Sequence, residues 1–102
     1  MIYRKSKDDI ARMRCSGRIL ARALNKAIKA VRPGVTTLEL DQIAEASIRA
    51  DGAIPTFKGI YGDPLHGIPP FPATLCISVN DEVVHGIPSG RKLKEGDIVS
   101  MD

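Results

Sequence analysis

A segment dense in glycine and proline, KGIYGDPLHGIPPFP at residues 58–72, divides the chain into two differently patterned parts. Proline lacks a backbone N–H group and has a fixed φ angle, while glycine loses much conformational freedom when it is ordered. Neither a regular helix nor a regular strand tolerates this density, so we interpret the segment as a loop. The loop must therefore connect the secondary structure formed before residue 58 to a different kind of secondary structure formed after residue 72.

The first part begins with a predicted helix over residues 6–31. Ser6 and Asp9 form a capping box at its start, and Pro33-Gly34 follows its end. Apolar side chains at helical spacing make one face of this helix: Ile10, Met13, Gly17, Leu20, Leu24, Ala27, Ile28 and Val31. The opposite face is basic and carries Arg14, Arg18, Arg22, Lys26, Lys29 and Arg32.

A second helix is predicted between a capping box at Thr36 and Glu39 and a stop at Asp51-Gly52. Its apolar stripe consists of Leu40, Ile43, Ala44 and Ile48. A short extended piece, AIPTF at residues 53–57, then leads into the loop.

The second part of the chain has the pattern of strands. TLCISV (74–79) and EVVHGI (82–87) are predicted as two strands joined by a tight turn at Asn80-Asp81, and IVSMD (98–102) as another strand. Two helices followed by strands predict an α+β fold, with the two N-terminal helices packed on an antiparallel sheet.

Composition restricts the class of protein. The chain has 102 residues, of which 43% are hydrophobic and 26% charged, as expected for one small globular domain. The first residues contain no apolar run typical of a signal peptide, so we expect none, and no apolar run in the chain is long enough to span a membrane. Cys15 and Cys76 have neither the density of a disulfide framework nor metal-ligand spacing, so we expect reduced cysteines and a cytoplasmic protein.

Charge is distributed unevenly along the chain. Residues 1–32 carry ten lysines and arginines against two aspartates, whereas residues 33–102 carry five against ten acidic residues. A charged face opposite an apolar one is usually the solvated side of a helix. Because no acidic residue interrupts its six cations, we also consider contact with a polyanion, which would be electrostatic and sensitive to salt.

Two polar residues end predicted strands and are candidates for a site. His85 precedes Gly-Ile-Pro, and an imidazole there can donate to or accept from a peptide amide. Asp102 ends the last strand, where a carboxylate can bind a divalent cation. Taken alone, such a histidine more often bonds to a backbone carbonyl, and an isolated aspartate is usually a surface residue.

The segments FPATLCISVNDEVVHGIPS (71–89) and KEGDIVSMD (94–102) resemble the type I methionine aminopeptidase family. DGAIPTFKG (51–59) and the capped helix pair match the order of the family's elements. The resemblance extends from the first helix to residue 102 and is most specific over residues 71–102. It implies the pita-bread fold, in which two pseudo-symmetric α+β halves surround a two-metal site.

The resemblance also implies roles for four residues. His85 matches the histidine that hydrogen-bonds the bound peptide at the scissile bond, and Asp102 matches the first metal-ligand aspartate. Phe71 and Cys76 match positions that surround the methionine side chain. The implied cofactors are two divalent ions (Co, Mn, Fe or Zn) that activate water, and the remaining ligands lie further along the family's sequence.

The activity implied by the resemblance is removal of the initiator methionine from nascent proteins. The implied partners are a nascent polypeptide with an N-terminal methionine and, through the basic helix face, ribosomal RNA; no membrane partner is expected.

One departure from the family pattern concerns a histidine. The family commonly has a histidine two residues before the aromatic residue of the Phe-Pro pair, and Pro69 stands there in this chain. His66 lies further upstream in what looks like an insertion at residues 62–69. The sequence leaves open whether His66 takes the substrate-facing role.

We expect residues 1–102 to form a single domain that corresponds to the N-terminal half of the catalytic domain, without its C-terminal half, and to be inactive alone. Three alternatives remain at this point. They are an Xaa-Pro peptidase relative, a non-catalytic pita-bread protein that binds protein or nucleic acid, and a stand-alone half with a scaffold role only.

Overall fold

A computed structural model describes residues 1–102 and confirms the α+β class. The elements in chain order are α1 (Lys7–Lys29), α2 (Thr37–Ala50), a short 3-10 turn (Pro64–His66), β1 (Ile77–Val79) and β2 (Val99–Met101). No helix combines the length with the apolar character that crossing a membrane requires. Cys15 is exposed and Cys76 is buried, and neither forms a disulfide.

Both capping boxes are confirmed. The Ser6 hydroxyl accepts a hydrogen bond from the Asp9 N–H, and the Asp9 carboxylate accepts one from the Ser6 N–H. Thr36 and Glu39 repeat this arrangement at the start of α2. Each box provides partners for N–H groups that the first helical turn leaves unpaired, which explains why the helices begin where the sequence predicts.

The core lies between the two helices, β1 and the segment that precedes α2. Its buried members are Ala23, Ala27, Val35, Leu40, Ala44, Ile48, Leu75, Ile77, Val79 and Leu93. On α1 only two alanines are fully buried, and these small side chains let the helix approach closely.

The predicted apolar stripe of α1 faces the core only in part, since Ala27 belongs to the core and Leu24 packs against it. Met13 is 58% exposed, Leu20 47% and Ile28 53%, whereas Ala27 is buried. Helical spacing identified the apolar side chains, but α2 and the sheet cover a narrower strip of α1 than these residues occupy.

The sheet has two antiparallel strands, with Ile77 opposite Met101 and Val79 opposite Val99. Residues 82–87 form no strand, so the strand predicted there is wrong. The turn that precedes it is present, since the Glu82 N–H donates to the carbonyl of Val79.

Residues 82–87 fail to form a strand because the backbone turns left-handed within them. His85 has a φ of 58°, which breaks an extended ladder. Gly86 then lies directly against β1, where its carbonyl accepts a hydrogen bond from Ile77 at 2.8 Å. A Cβ atom at Gly86 would lie 2.0 Å from the carbonyl oxygen of Ile77, so only glycine fits this approach.

Candidate active site

A cavity of about 590 Å³ opens between the glycine- and proline-rich loop and the sheet. Its lining includes all four residues that the sequence analysis singled out, namely Phe71, Cys76, His85 and Asp102. The other lining residues are Phe57, Ile60, Tyr61, Ile68, Pro69, Pro70, Pro72 and Ile87. Phe71, His85 and Asp102 lie in three separate segments of the chain. The fold thus brings an aromatic ring, an imidazole and a carboxylate to one concave surface.

Cys76 forms part of the floor of this cavity and is 8% exposed. Its backbone N–H donates to the carbonyl of Asp102 at 2.8 Å, and the Asp102 N–H donates to the carbonyl of Cys76 at 2.9 Å. Burial raises the pKa of the Cys76 thiol, and the charge of Asp102 adds to this effect. The thiol is therefore neutral and polarizable, suited to contact with an apolar side chain rather than to nucleophilic chemistry.

Asp102 follows β2, and its side chain is exposed at the cavity. No other aspartate or glutamate lines the cavity, and nowhere does the chain bring together three histidine, cysteine or acidic side chains that fit a metal ion. One carboxylate does not provide the ligand number that a divalent cation requires. By itself, the chain does not fit a two-metal site.

His85 is exposed and has a left-handed backbone, an uncommon conformation for a residue with a side chain. The segment after it is held tightly. The Gly86 N–H donates to the Ser78 hydroxyl at 3.1 Å, and the Gly86 carbonyl accepts from Ile77. These contacts with β1 fix the position at which the imidazole leaves the backbone.

Phe71 is half-buried and closes a hairpin that begins at Gly59. The Gly59 N–H donates to the carbonyl of Phe71, and the Phe71 N–H donates to the carbonyl of Ile60, both at 2.8 Å. Further out, Asp63 and Ile68 exchange a reciprocal pair of backbone hydrogen bonds at 2.8 and 2.9 Å. The segment that the sequence indicated only as a loop is therefore an ordered wall of the cavity.

His66 lies at the tip of this hairpin and does not line the cavity. Its Nδ1 atom lies 2.5 Å from an oxygen of Asp63, a partner that the sequence did not reveal. Pro69, which stands where the family pattern has a histidine, does line the cavity.

Asp41, on α2, holds the segment that leads into Cys76 at the cavity. The sequence did not indicate this residue. Its buried carboxylate accepts hydrogen bonds from the N–H groups of Thr74 and Leu75, at 2.9 and 2.7 Å. Burial raises the pKa of Asp41, although both hydrogen bonds favour the charged form. Since no sequence spacing links α2 to the start of β1, only the structure reveals this anchor.

Residues 11–102 match metallopeptidase family M24. The chain is 52% identical over 102 residues to the methionine aminopeptidase of Clostridium perfringens and 47% identical to methionine aminopeptidase 1 of Bacillus subtilis. Each alignment covers 100% of this chain but 38% of the relative, so the chain spans little more than a third of these proteins.

Solved structures show the same relationship. The methionine aminopeptidase of Rickettsia prowazekii superposes with a TM-score of 0.88 at 35% identity, covering 100% of this chain and 38% of the neighbour. The enzyme of Thermotoga maritima gives a TM-score of 0.85 at 35% identity, covering 99% and 38%. The resemblance to methionine aminopeptidases and the pita-bread architecture is confirmed, and neither an Xaa-Pro peptidase relative nor a non-catalytic pita-bread protein is favoured. This chain belongs to metallopeptidase family M24.

Proposed function

We propose that residues 1–102 form one wall of a methionine aminopeptidase and correspond to the N-terminal half of its catalytic domain. In this proposal the complete protein removes the initiator methionine from nascent polypeptides. The observation that carries the proposal is the shared cavity, in which the imidazole of His85, the carboxylate of Asp102 and an apolar floor meet.

The floor of the cavity is proposed to bind the methionine side chain. Cys76 and Phe71 provide a soft thiol and an aromatic surface, which suit an unbranched, polarizable thioether. The raised pKa of Cys76 keeps the thiol uncharged, so that the floor stays apolar at neutral pH.

His85 is proposed to hydrogen-bond the peptide at the scissile amide. An imidazole at the rim of the cavity can donate to the carbonyl or accept from the amide of a peptide whose first side chain lies on the floor. The left-handed conformation and the close packing of Gly86 hold the backbone from which the ring projects at the cavity.

Asp102 is proposed to be one metal ligand of the complete site. Two divalent cations, with Co, Mn, Fe and Zn as candidates, would supply an activated water when the other ligands are present. Within this chain, the reciprocal backbone bonds to Cys76 hold the backbone that carries the carboxylate beside the cavity. Because the chain offers one ligand only, we expect it to have no aminopeptidase activity alone.

A chimera tests this proposal. Residues 1–102 replace the matched region of the Clostridium perfringens relative, and the rest of that protein is kept. With added Mn²⁺ or Co²⁺, we expect the chimera to release methionine from a Met-Ala peptide and the purified 102-residue chain to release none. A folded chimera without activity, or robust turnover by the chain alone, would contradict the proposal.

Two substitutions in the chimera separate the proposed roles. His85→Ala is expected to lower turnover by about a hundredfold while leaving metal content unchanged, because it removes a hydrogen bond to the reacting group. Asp102→Asn is expected to lower metal content, measured by elemental analysis. If His85→Ala removed metal and Asp102→Asn did not, the two assignments would be wrong.

The basic face of α1 is proposed to contact ribosomal RNA, and the protein is accordingly proposed to be cytoplasmic. Five of the six cations lie on α1, and Arg32 follows its end. All six are exposed; Arg22 pairs with Asp51 at 2.9 Å, and the Arg32 guanidinium donates to the carbonyl of Ala30 at 3.2 Å. The remaining four are free to bind phosphates, and the resulting affinity would fall steeply with salt.

Cosedimentation with ribosomes tests this contact. Between about 50 and about 200 mM salt the affinity is expected to fall at least tenfold. The double substitution Arg14→Glu and Arg18→Glu should weaken binding, whereas Lys92→Glu with Lys94→Glu, which changes net charge equally, should not. Equal effects of both pairs, or an affinity flat in salt, would rule out a specific basic face.

A further inference from the structure

The backbone around His85 is held from one side only. No hydrogen bond joins the backbone of residues 83–85 to another part of the chain. After His85, by contrast, Gly86 is bonded to β1 and Ser89 is bonded to α2. The place at which the imidazole enters the cavity therefore depends on whatever holds residues 86–89.

The first contact of this segment is with Ser78 on β1. The Ser78 hydroxyl accepts a hydrogen bond from the Gly86 N–H at 3.1 Å, while the Gly86 carbonyl accepts one from the Ile77 N–H at 2.8 Å. Ser78 is buried, so water does not compete for its hydroxyl. Both backbone groups of Gly86 are thus bonded to β1.

The second contact is with Thr37, the first residue of α2. Its hydroxyl accepts a hydrogen bond from the Ser89 N–H at 2.8 Å and donates one to the Ser89 carbonyl at 3.1 Å. The N–H of Leu38 donates to the same carbonyl at 2.9 Å. Thr37 is 3% exposed, and the neighbouring Pro88 is also buried. Both backbone groups of Ser89 are thus bonded to the start of α2.

The formation of α2 does not explain the hydroxyl of Thr37. Thr36 and Glu39 already form the capping box of this helix, and the Thr37 N–H donates to the carbonyl of Arg91. Threonine is also a poorer helix former than most residues. The Thr37 side chain instead bonds to a residue 52 positions away, so its contribution is to locate residues 86–89.

We propose that Thr37 is a positioning residue for His85. Together, Ser78 and Thr37 hold the two ends of residues 86–89 against β1 and α2. His85, with its φ of 58°, turns the chain directly before this held segment, so the two hydroxyls fix where the imidazole meets the cavity. The inference rests on the proposed function, because it takes His85 to hydrogen-bond the bound peptide.

Turnover by the chimera tests the role of Thr37. Thr37→Val keeps the shape of the side chain and removes the hydroxyl. We expect it to lower kcat/KM for the peptide Met-Ala-Ser about tenfold, because a small displacement of a group that binds the reacting amide is costly. Thr37→Ser keeps the hydroxyl and should retain most of the activity. Metal content should be unchanged in both variants.

A double-mutant cycle shows whether the effect passes through His85. In the His85→Ala background, Thr37→Val should change kcat/KM by less than about twofold, since the imidazole that it positions is absent. A loss of the same size with and without His85 would overturn the proposal.

Ser47→Ala is the matched control. It removes another buried hydroxyl of α2, one that has no hydrogen-bond partner, so kcat/KM should not change. A loss equal to that of Thr37→Val would mean that any buried hydroxyl of this helix has the same effect, which would contradict a specific role for Thr37.

Hydrogen exchange, followed by mass spectrometry, decides the proposal even if the chimera has no activity. In Thr37→Val the amides of residues 86–91 should exchange at least about tenfold faster than in the parent, while those of β1 are unchanged. Unchanged exchange at residues 86–91, faster exchange throughout the chain or loss of the folded state would each overturn the proposal. A folded chimera that releases no methionine would instead contradict the proposed function.

Discussion

Cys76 and Asp102 are joined by two reciprocal backbone hydrogen bonds of 2.8 and 2.9 Å, which continue the pairing of β1 with β2. This pairing places a carboxylate beside a buried thiol on one cavity. The thiol responds to that neighbour, because the negative charge of Asp102 and the burial of Cys76 both disfavour the thiolate.

The reactivity of Cys76 should therefore depend on Asp102. In a Cys15→Ser background, which leaves Cys76 as the only thiol, Asp102→Asn removes a negative charge and should lower the pKa of Cys76. We expect faster reaction with a disulfide reagent near pH 8, because more thiolate is present. A rate that is unchanged across a pH titration of both proteins would show that the two side chains do not interact.

Gly86→Ala should severely destabilise the chain. The new Cβ atom would lie 2.0 Å from the carbonyl oxygen of Ile77, so β1 and the segment bearing His85 must move apart. A loss of about 3 kcal/mol or more in the free energy of unfolding is expected from denaturant titration. Gly90→Ala, where no atom lies within 4 Å of the new Cβ, is the control and should be nearly neutral.

The capping box of α2 should make stability depend on pH in the acid range. The Thr36 N–H bonds to Glu39 and lowers the pKa of that carboxyl below its ordinary 4.5. The resulting stabilisation is complete above pH 4.5 and is lost as pH falls through the lower pKa of the folded state. Between pH 7 and pH 3, the melting temperature of Glu39→Gln should fall less than that of the parent; parallel curves would contradict this.

Asp41 should give stability the opposite dependence on pH, because burial raises the pKa of its carboxyl in the folded state. Ionisation then opposes folding as pH rises through that pKa, and stability is greater below the carboxyl's unfolded value. Asp41→Asn keeps an oxygen for the Thr74 and Leu75 N–H groups without the charge, so its stability near pH 7 should equal or exceed that of the parent.

Asp41→Ala provides the contrast, because it leaves two buried N–H groups without an acceptor. We expect a loss of about 2–4 kcal/mol in the free energy of unfolding. If Asn and Ala at position 41 were equally destabilising, the two hydrogen bonds would not be the reason that α2 carries a buried acid.

The candidate site was only partly predictable. His85, Asp102, Phe71 and Cys76 were chosen from sequence, through the motifs that resemble a known family, and the structure places all four on one cavity. Their individual roles remain predictions. Thr37 gave no signal, because its hydroxyl bonds to Ser89, 52 residues further along the chain, and no local pattern indicates such a contact.

The sequence by itself determined the two helices, their capping boxes, their ends and the turn after β1, because each depends on residues a few positions apart. The tertiary structure decided that β1 pairs with residues 99–101 rather than 82–87, and that much of the α1 stripe stays exposed. Strand pairing and burial depend on segments far apart in the chain, which compete for the same edges and faces. The alternation of apolar residues within one segment does not show which of the competing segments will pair or become buried.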